Sequence, residues 1–268
     1  MNNTANYDFI IFPEVAKALE MGLPIVALES TILAHGMPYP QNLEFAQKAI
    51  DLVRQHGAIP ATIAILAGQV HIGLSREEIK TLTTANNVQK TALRDIPWNI
   101  AQKLNGATTV SATMHLAHLA GINVFATGGI GGVHRDAENT FDVSQDLLAL
   151  SSIPMLVVSA GAKAILDLPK TLEALETLAV TVLGYQTKEF PAFYSCQSGL
   201  FLEQFLDSAQ AIATLYQEHR RLNLQGAILV ANPVPKENEI PAQEISEMIE
   251  QALKAAKQRN VFGKALTP

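Results

Sequence analysis

The chain alternates between short, solid apolar runs and longer stretches in which apolar residues return every three or four positions. Solid runs of four to eight residues suit strands buried on both faces, and the longer spacing suits amphipathic helices. EVAKALEMG (14–22) predicts a short helix ending at Gly22, and PIVALES (24–30) a buried strand. TILAHGMPYPQN (31–42), with two prolines and a glycine, is expected to be a loop. LEFAQKAIDLVRQHG (43–57) predicts a helix stopped by Gly57, ATIAILAG (61–68) a second buried strand, and VHIGLS (70–75) the start of a return. SREEIKTLTTANN (75–87) predicts a helix capped by Ser75, with Glu78 completing a capping box.

The alternation continues to the end. TTVSATMHLAHLAG (108–121), LPKTLEALETLA (168–179), LDSAQAIATLYQEHRRLNL (206–224) and PAQEISEMIEQALKAAKQRN (241–260) predict helices, and QDLLALSS (145–152) a helix or turn. INVFATGG (122–129), MLVVSAG (155–161), VTVLGY (180–185) and QGAILVANPVP (225–235) predict strands. Strands separated by helices of this length imply right-handed crossovers and a largely parallel sheet with helices on both faces. No internal repeat, low-complexity tract or linker interrupts the pattern, so one α/β domain is the economical reading. In such folds ligands sit beyond the carboxyl ends of the strands, which directs attention to the loops after PIVALES, INVFATGG, MLVVSAG and AILVANP.

Composition narrows the function. The 268 residues are 48% hydrophobic and 16% charged, too apolar for a disordered chain. Twenty-five acidic residues against nineteen basic ones give a net charge of −6, which argues against a general nucleic-acid or membrane-surface binder. A single cysteine, Cys196, excludes an intramolecular disulfide and any multi-cysteine metal cluster. The first twelve residues lack a signal-peptide pattern, and no apolar run approaches the roughly 20 residues of a membrane-spanning helix. The expectation is a cytoplasmic protein.

Several residues in the strand-end loops could do chemistry. Glu29 closes an apolar strand: it either caps the next loop through backbone N–H groups or works as a general acid/base. TGGIGG (127–132) could wrap N–H groups around an anion or simply make a tight turn, and it is followed by His134 and Arg135. In FDVSQD (141–146), Asp142 and Asp146 would share a face if the segment were helical. They could bind Mg²⁺ or Mn²⁺, or decorate a helix start with Ser144. Lys163, between AGA and AIL, is either a snorkelling helix lysine or a desolvated amine available as a nucleophile. Lys90 and Arg94 could meet a phosphate or form a solvated helix-end pair. Thr108, Thr109, Ser111 and Thr113 could cap a helix or offer hydroxyls to a sugar. His115 and His118 have metal-site spacing but more often pack. A Glu, a Lys, an Asp and a glycine-rich loop together suit a phosphorylated, carbonyl-generating sugar handled through an imine.

The segments ALESTILAHGMPYPQNLE (27–44), TTVSATMHLAHLAGINVFATGGIGGVHR (108–135), FDVSQDL (141–147), SAGAKAILDLPKTLEALET (159–177), LGYQTKEFPAFY (183–194) and ANPVP (231–235) closely resemble the pseudouridine-5′-phosphate glycosidase family, also known as indigoidine synthase A-like. They follow the family's order along nearly the whole chain. The resemblance implies a three-layer α/β/α fold, a homotrimer, and metal-dependent cleavage of pseudouridine 5′-phosphate to uracil and ribose 5-phosphate, usually with Mn²⁺. It implies Glu29 as proton donor, Lys163 as the imine-forming nucleophile and Asp142 as metal ligand. Lys90, Val110, Ser144, Gln145 and Asp146 match substrate-contacting positions, and His134 a further active-site position. The family pattern also continues past GKALTP (263–268) with a helical stretch carrying an Asn-Asn pair. No position here matches it, so the reading is a single α/β catalytic domain over 1–268 without that stretch. The alternatives are a related phosphosugar C-glycosidase or lyase acting on another base, and a non-catalytic phosphosugar-binding paralogue. A dinucleotide-dependent dehydrogenase is excluded because the glycine loop lacks GxGxxG.

Overall fold

The computed structural model describes residues 7–259 and 261. The start of the chain read above for a leader (1–6) and the GKALTP end (263–268) lie outside the described residues. The chain forms two compact units that divide between Ala126 and Thr127.

The first unit runs β1 (Ile10–Ile11), α1 (Pro13–Met21), β2 (Ile25–Leu28), a π-helical turn (Ile32–Gly36), α2 (Gln41–Gln55), β3 (Ile59–Leu66) and β4 (Gln69–Ile72). It continues through α3 (Arg76–Thr84), β5 (Gln89–Thr91), α4 (Ile96–Ala101), β6 (Gly106–Thr108), α5 (Val110–Leu119) and β7 (Val124–Ala126). Its strands order as β1-β4-β3-β2-β7, with β6 also on β3 and β5 on β6. The β2–β3, β2–β7, β1–β4 and β5–β6 pairs are parallel; β3–β4 and β3–β6 are antiparallel. The solid apolar run of β3 fits its role, since Pro60 to Ile65 are all buried. Ala64 packs with Leu33, Ala46, Ile50, Ile79 and Leu82 from the π turn, α2 and α3.

The second unit contains α6 (Ala137–Thr140), α7 (Gln145–Ser152), β8 (Leu156–Ser159), α8 (Leu168–Thr177), β9 (Thr181–Tyr185), β10 (Phe205–Leu206), α9 (Ala209–Arg221), β11 (Ile228–Ala231) and α10 (Ala242–Gln258). The order β8-β11-β9-β10 is parallel throughout. Ile212 of α9 packs on Leu183, Ile228 and Val230, closing one face of these strands.

Local signals act as expected at several ends. Ser75 and Glu78 form the reciprocal capping box, Gly22 caps α1 in the left-handed region, and Gly57 follows α2 at φ +80°. The 31–42 segment departs from expectation. Its first half winds into the π turn, because Leu33 is buried and Ile32 and Ala34 pack against the same core cluster, while Pro38 and Pro40 delay the next helix to Gln41. The TTVSAT segment also divides: Thr108 ends a strand, and α5 starts only at Val110.

Candidate active site

In the first unit the candidates lie where parallel strands stop. Glu29 follows β2 directly and is half-buried. The next residue, Ser30, is buried and fixes the chain there. Its hydroxyl donates to the Ile63 carbonyl at 2.6 Å and accepts the Thr108 N–H at 2.8 Å. The Thr108 hydroxyl also donates to Ile63 O (2.7 Å) and accepts from Thr113 (2.9 Å). Two hydroxyls thus converge on the Ile63 carbonyl just where β2 gives out, and they satisfy it within the protein. The Thr108 and Thr113 hydroxyls therefore hold the main chain rather than offer themselves to a sugar. Thr109 is the N-cap of α5 but makes no side-chain cap bond.

Lys90 lies within β5 and is half-buried, rather than at a helix end. The Thr109 N–H donates to Thr91 O at 2.9 Å, which ties the strand carrying Lys90 to the start of α5. Val110 is the first residue of α5, and its side chain is buried at 1% exposure. Any contact Val110 makes with a ligand therefore runs through its main chain, whose N–H has no acceptor within the helix.

His35, at the end of the π turn, belongs to this group although nothing in its spacing marked it. Burial first, and the Lys90 charge second, push its imidazole below the ordinary value. A π turn interrupting a strand-end loop is itself a frequent mark of a functional site.

In the second unit the segment 130–134 forms a spine to which the other candidates are tied. The Lys163 N–H donates to Ile130 O (3.0 Å), the Ser144 N–H to Gly132 O (2.9 Å) and the His134 N–H to Asp142 O (3.0 Å). The Gly131 N–H donates to the Asp146 carboxylate at 2.8 Å. Lys163, His134, Asp142, Ser144 and Asp146 are thereby brought to one place, and Gln145 joins them as the first residue of α7. Lys163 is half-buried, in the turn beyond β8.

Two readings of these residues are corrected. Asp142 and Asp146 do not share a helical face, because Phe141 takes a left-handed conformation (φ 54°) and α7 begins only at Gln145. Ser144 caps α7 by accepting the Asp146 N–H, and Asp146 is 5% exposed with its carboxylate on Gly131. Close packing explains Gly129, Gly131 and Gly132. A Cβ on Gly131 would collide with Ser144, one on Gly132 with Thr171, and one on Gly129 with Phe193.

His134 is 8% exposed, and its Nδ1 lies 3.8 Å from an Asp142 carboxylate oxygen. That is too long for a hydrogen bond, but it becomes an attraction when the imidazole is protonated. Asp142 presents a hard oxygen, and no group of three or more His, Cys, Asp or Glu side chains suited to a metal occurs among the described residues. This donor set fits a hard ion that keeps most of its water, and not a closed zinc cage. His115 on α5 is lowered from its ordinary value by burial, in keeping with a packing role. A cavity of about 570 Å³ in this unit lies against α10, lined by Arg135, Asp167, Ser195, Ser198 and Ile245; Lys163, His134, Asp142 and Asp146 do not line it.

A family model described as indigoidine synthase A like protein matches residues 14–268. Pseudouridine-5′-phosphate glycosidase of Methylobacterium nodulans is 54% identical over 256 residues, 96% of this chain and 76% of that protein. The protein of that name in Petrotoga mobilis is 50% identical over 268 residues, 100% of this chain and 87% of that protein. Among solved structures, the prealnumycin C-glycosynthase in complex with ribulose 5-phosphate matches with a TM-score of 0.88 at 35% identity, covering 97% of this chain and 85% of that one. An indigoidine synthase A-like protein from Thermotoga maritima matches at 0.83 and 36%, covering 92% and 81%.

Proposed function

Because the chain belongs to the indigoidine synthase A-like family, we propose that it is a pseudouridine-5′-phosphate glycosidase. It cleaves the bond between ribose C1′ and uracil C5 to give uracil and ribose 5-phosphate. The observation that carries the proposal is the anchoring of Lys163 through Ile130 to the segment that also holds His134, Asp142 and Asp146.

The chemistry explains the residue types. Ordinary glycosidases protonate a leaving heteroatom between two carboxylates. Here the leaving atom is carbon, and that route is closed. In the proposed sequence Glu29 protonates the ring oxygen, while the uracil N1 electron pair pushes through C6 and C5 to open the ribose ring. The uncharged Lys163 amine adds to C1′, and its hydrogen-bonded setting delivers the nucleophile without diffusion. The adduct's ammonium returns a proton to the Glu29 carboxylate, which restores the nitrogen pair, and protonation at C5 then breaks the C1′–C5 bond as that pair forms a C1′=N imine. Water adds to the imine, returning the amine and releasing open-chain ribose 5-phosphate. Lys90, the main chain of Val110, Ser144, Gln145, Asp146 and His134 hold and orient the phosphosugar. Asp142 would hold Mn²⁺ chiefly through water, and the ion supplies positive charge at the polar end of the substrate.

The same resemblance supports a homotrimer working in the cytoplasm, and among the described residues no helix is long and apolar enough to cross a membrane. The ribulose 5-phosphate bound by the solved C-glycosynthase supports a phosphosugar substrate. The test is ultraviolet assay of uracil release from pseudouridine 5′-phosphate with and without Mn²⁺. Metal-dependent release is expected. Release of no uracil, with turnover of another C-linked ribose 5-phosphate, would move the chain to the other-base alternative.

A further inference from the structure

His35 presents an unexplained buried polar atom. Its Nε2 is shielded from solvent and has no hydrogen-bond partner among the described residues. Such groups cost free energy in a folded protein and are retained where something outside the chain satisfies them. Position adds to this. His35 lies in the π turn six residues beyond Glu29, on the same strand-end connection, and α2 and α3 pack against that turn. Among the described residues, Lys90 supplies the charge that acts on the imidazole, and no charged side chain of α2 or α3 does. His219 offers a contrast. Its Nδ1 is also buried without a partner among the described residues, but it sits on α9 against the Tyr216 ring, and the charge acting on it is Arg220 of its own helix.

We infer that His35 is a substrate-contacting residue, its Nε2–H donating to an anionic oxygen of the phosphosugar held at Lys90. A neutral imidazole beside an ammonium supplies a donor without a second fixed positive charge, so the ligand-free protein carries less repulsion there than a pair of lysines would give. An arriving anion offsets the Lys90 charge and gives Nε2–H its acceptor. Both changes favour the protonated imidazole, so ligand binding and proton uptake at His35 are linked.

This inference rests on the phosphosugar reading above. Its test is histidine Cε1–H NMR titration of the full chain, with and without saturating ribose 5-phosphate, the His35 signal being assigned from the H35Q spectrum. The expected result is an upward shift of about one unit in the His35 titration on adding ligand. Ribose 5-phosphate affinity should fall about tenfold to a hundredfold in H35A, as for loss of a hydrogen bond to a charged group. H35Q, which keeps a donor, should recover part of it, and its circular dichroism should match the parent. An unmoved His35 titration, or equal affinity in all three proteins, overturns the inference. Uracil release by the parent is read separately. If it persists while the His35 signal stays still, His35 falls and the glycosidase reading stands. If uracil release is absent while the His35 signal moves, the reverse holds.

Discussion

The main-chain N–H of Gly131 donates to the Asp146 carboxylate at 2.8 Å, across fifteen residues of chain. That bond fixes the start of α7 against the glycine-rich segment and gives a buried carboxylate its partner. It also means that the Gly131 N–H is committed within the protein, so this glycine serves close packing rather than an anion cradle. The absent side chain is what allows Asp146 and Ser144 to approach.

Gly131→Ala should therefore lower stability by about 1–3 kcal/mol, as overpacked cores do. Gly226→Ala, where an added Cβ meets nothing closer than 3.4 Å, should stay within about 0.5 kcal/mol of the parent. Urea unfolding midpoints at unchanged slope decide between them.

The hydroxyls at the end of β2 make a second prediction. Thr108→Val leaves the Ile63 carbonyl with the Ser30 hydroxyl but takes away its second donor and the acceptor of the Thr113 hydroxyl, and should cost about 1–3 kcal/mol. Ser30→Ala should cost a similar amount, and the pair should be non-additive because both hydroxyls serve Ile63. A double-mutant cycle by denaturant unfolding measures the coupling.

The capping box of α3 gives stability a pH dependence. Burial alone would raise the Glu78 carboxyl, but hydrogen bonds to the Ser75 hydroxyl and N–H, and then His71 at 2.9 Å, outweigh it and leave the group below its ordinary value. A depressed folded-state value contributes stability above the unfolded value of about 4.5, and loses it as pH falls through the lower folded value. Glu78→Gln should flatten the fall in melting temperature below about pH 4.5 relative to the parent, measured by calorimetry across the acid range.

The proton-donor assignment makes a kinetic prediction. Glu29→Gln should reduce uracil release by about 10²–10⁴-fold, the range for loss of a general acid. Ribose 5-phosphate affinity should remain near the parent's, because Glu29 acts on the ring oxygen rather than holding the phosphate. Initial rates and calorimetric titration separate the two effects.

The α/β alternation was legible in the sequence because β3 and β11 are buried on both faces and so read as solid apolar runs, while α2 and α9 keep a strong polar face. The antiparallel β3–β6 pair and the three-residue strands β5 and β6 were not, since Gln89–Thr91 and Gly106–Thr108 are too short to carry a period. The π turn was read as a loop because its prolines and glycine dominate locally, whereas Leu33 and its burial decide the outcome. Glu29 and Lys163 stood out as charges at strand ends, but each had a bland alternative, and the resemblance to a family supplied their roles. His35 carried no spacing signal at all. Its interest arises from burial and from Lys90, fifty-five positions away in sequence, which only the fold brings near it.

The central claim is that Lys163 forms an imine with the phosphosugar. Its most direct test is borohydride reduction of the protein incubated with ribose 5-phosphate, followed by peptide mass mapping. The account predicts one reduced adduct, on the peptide carrying Lys163, and its disappearance in Lys163→Ala together with uracil release. An adduct on another lysine, or uracil release at the parent rate by Lys163→Ala, would contradict it.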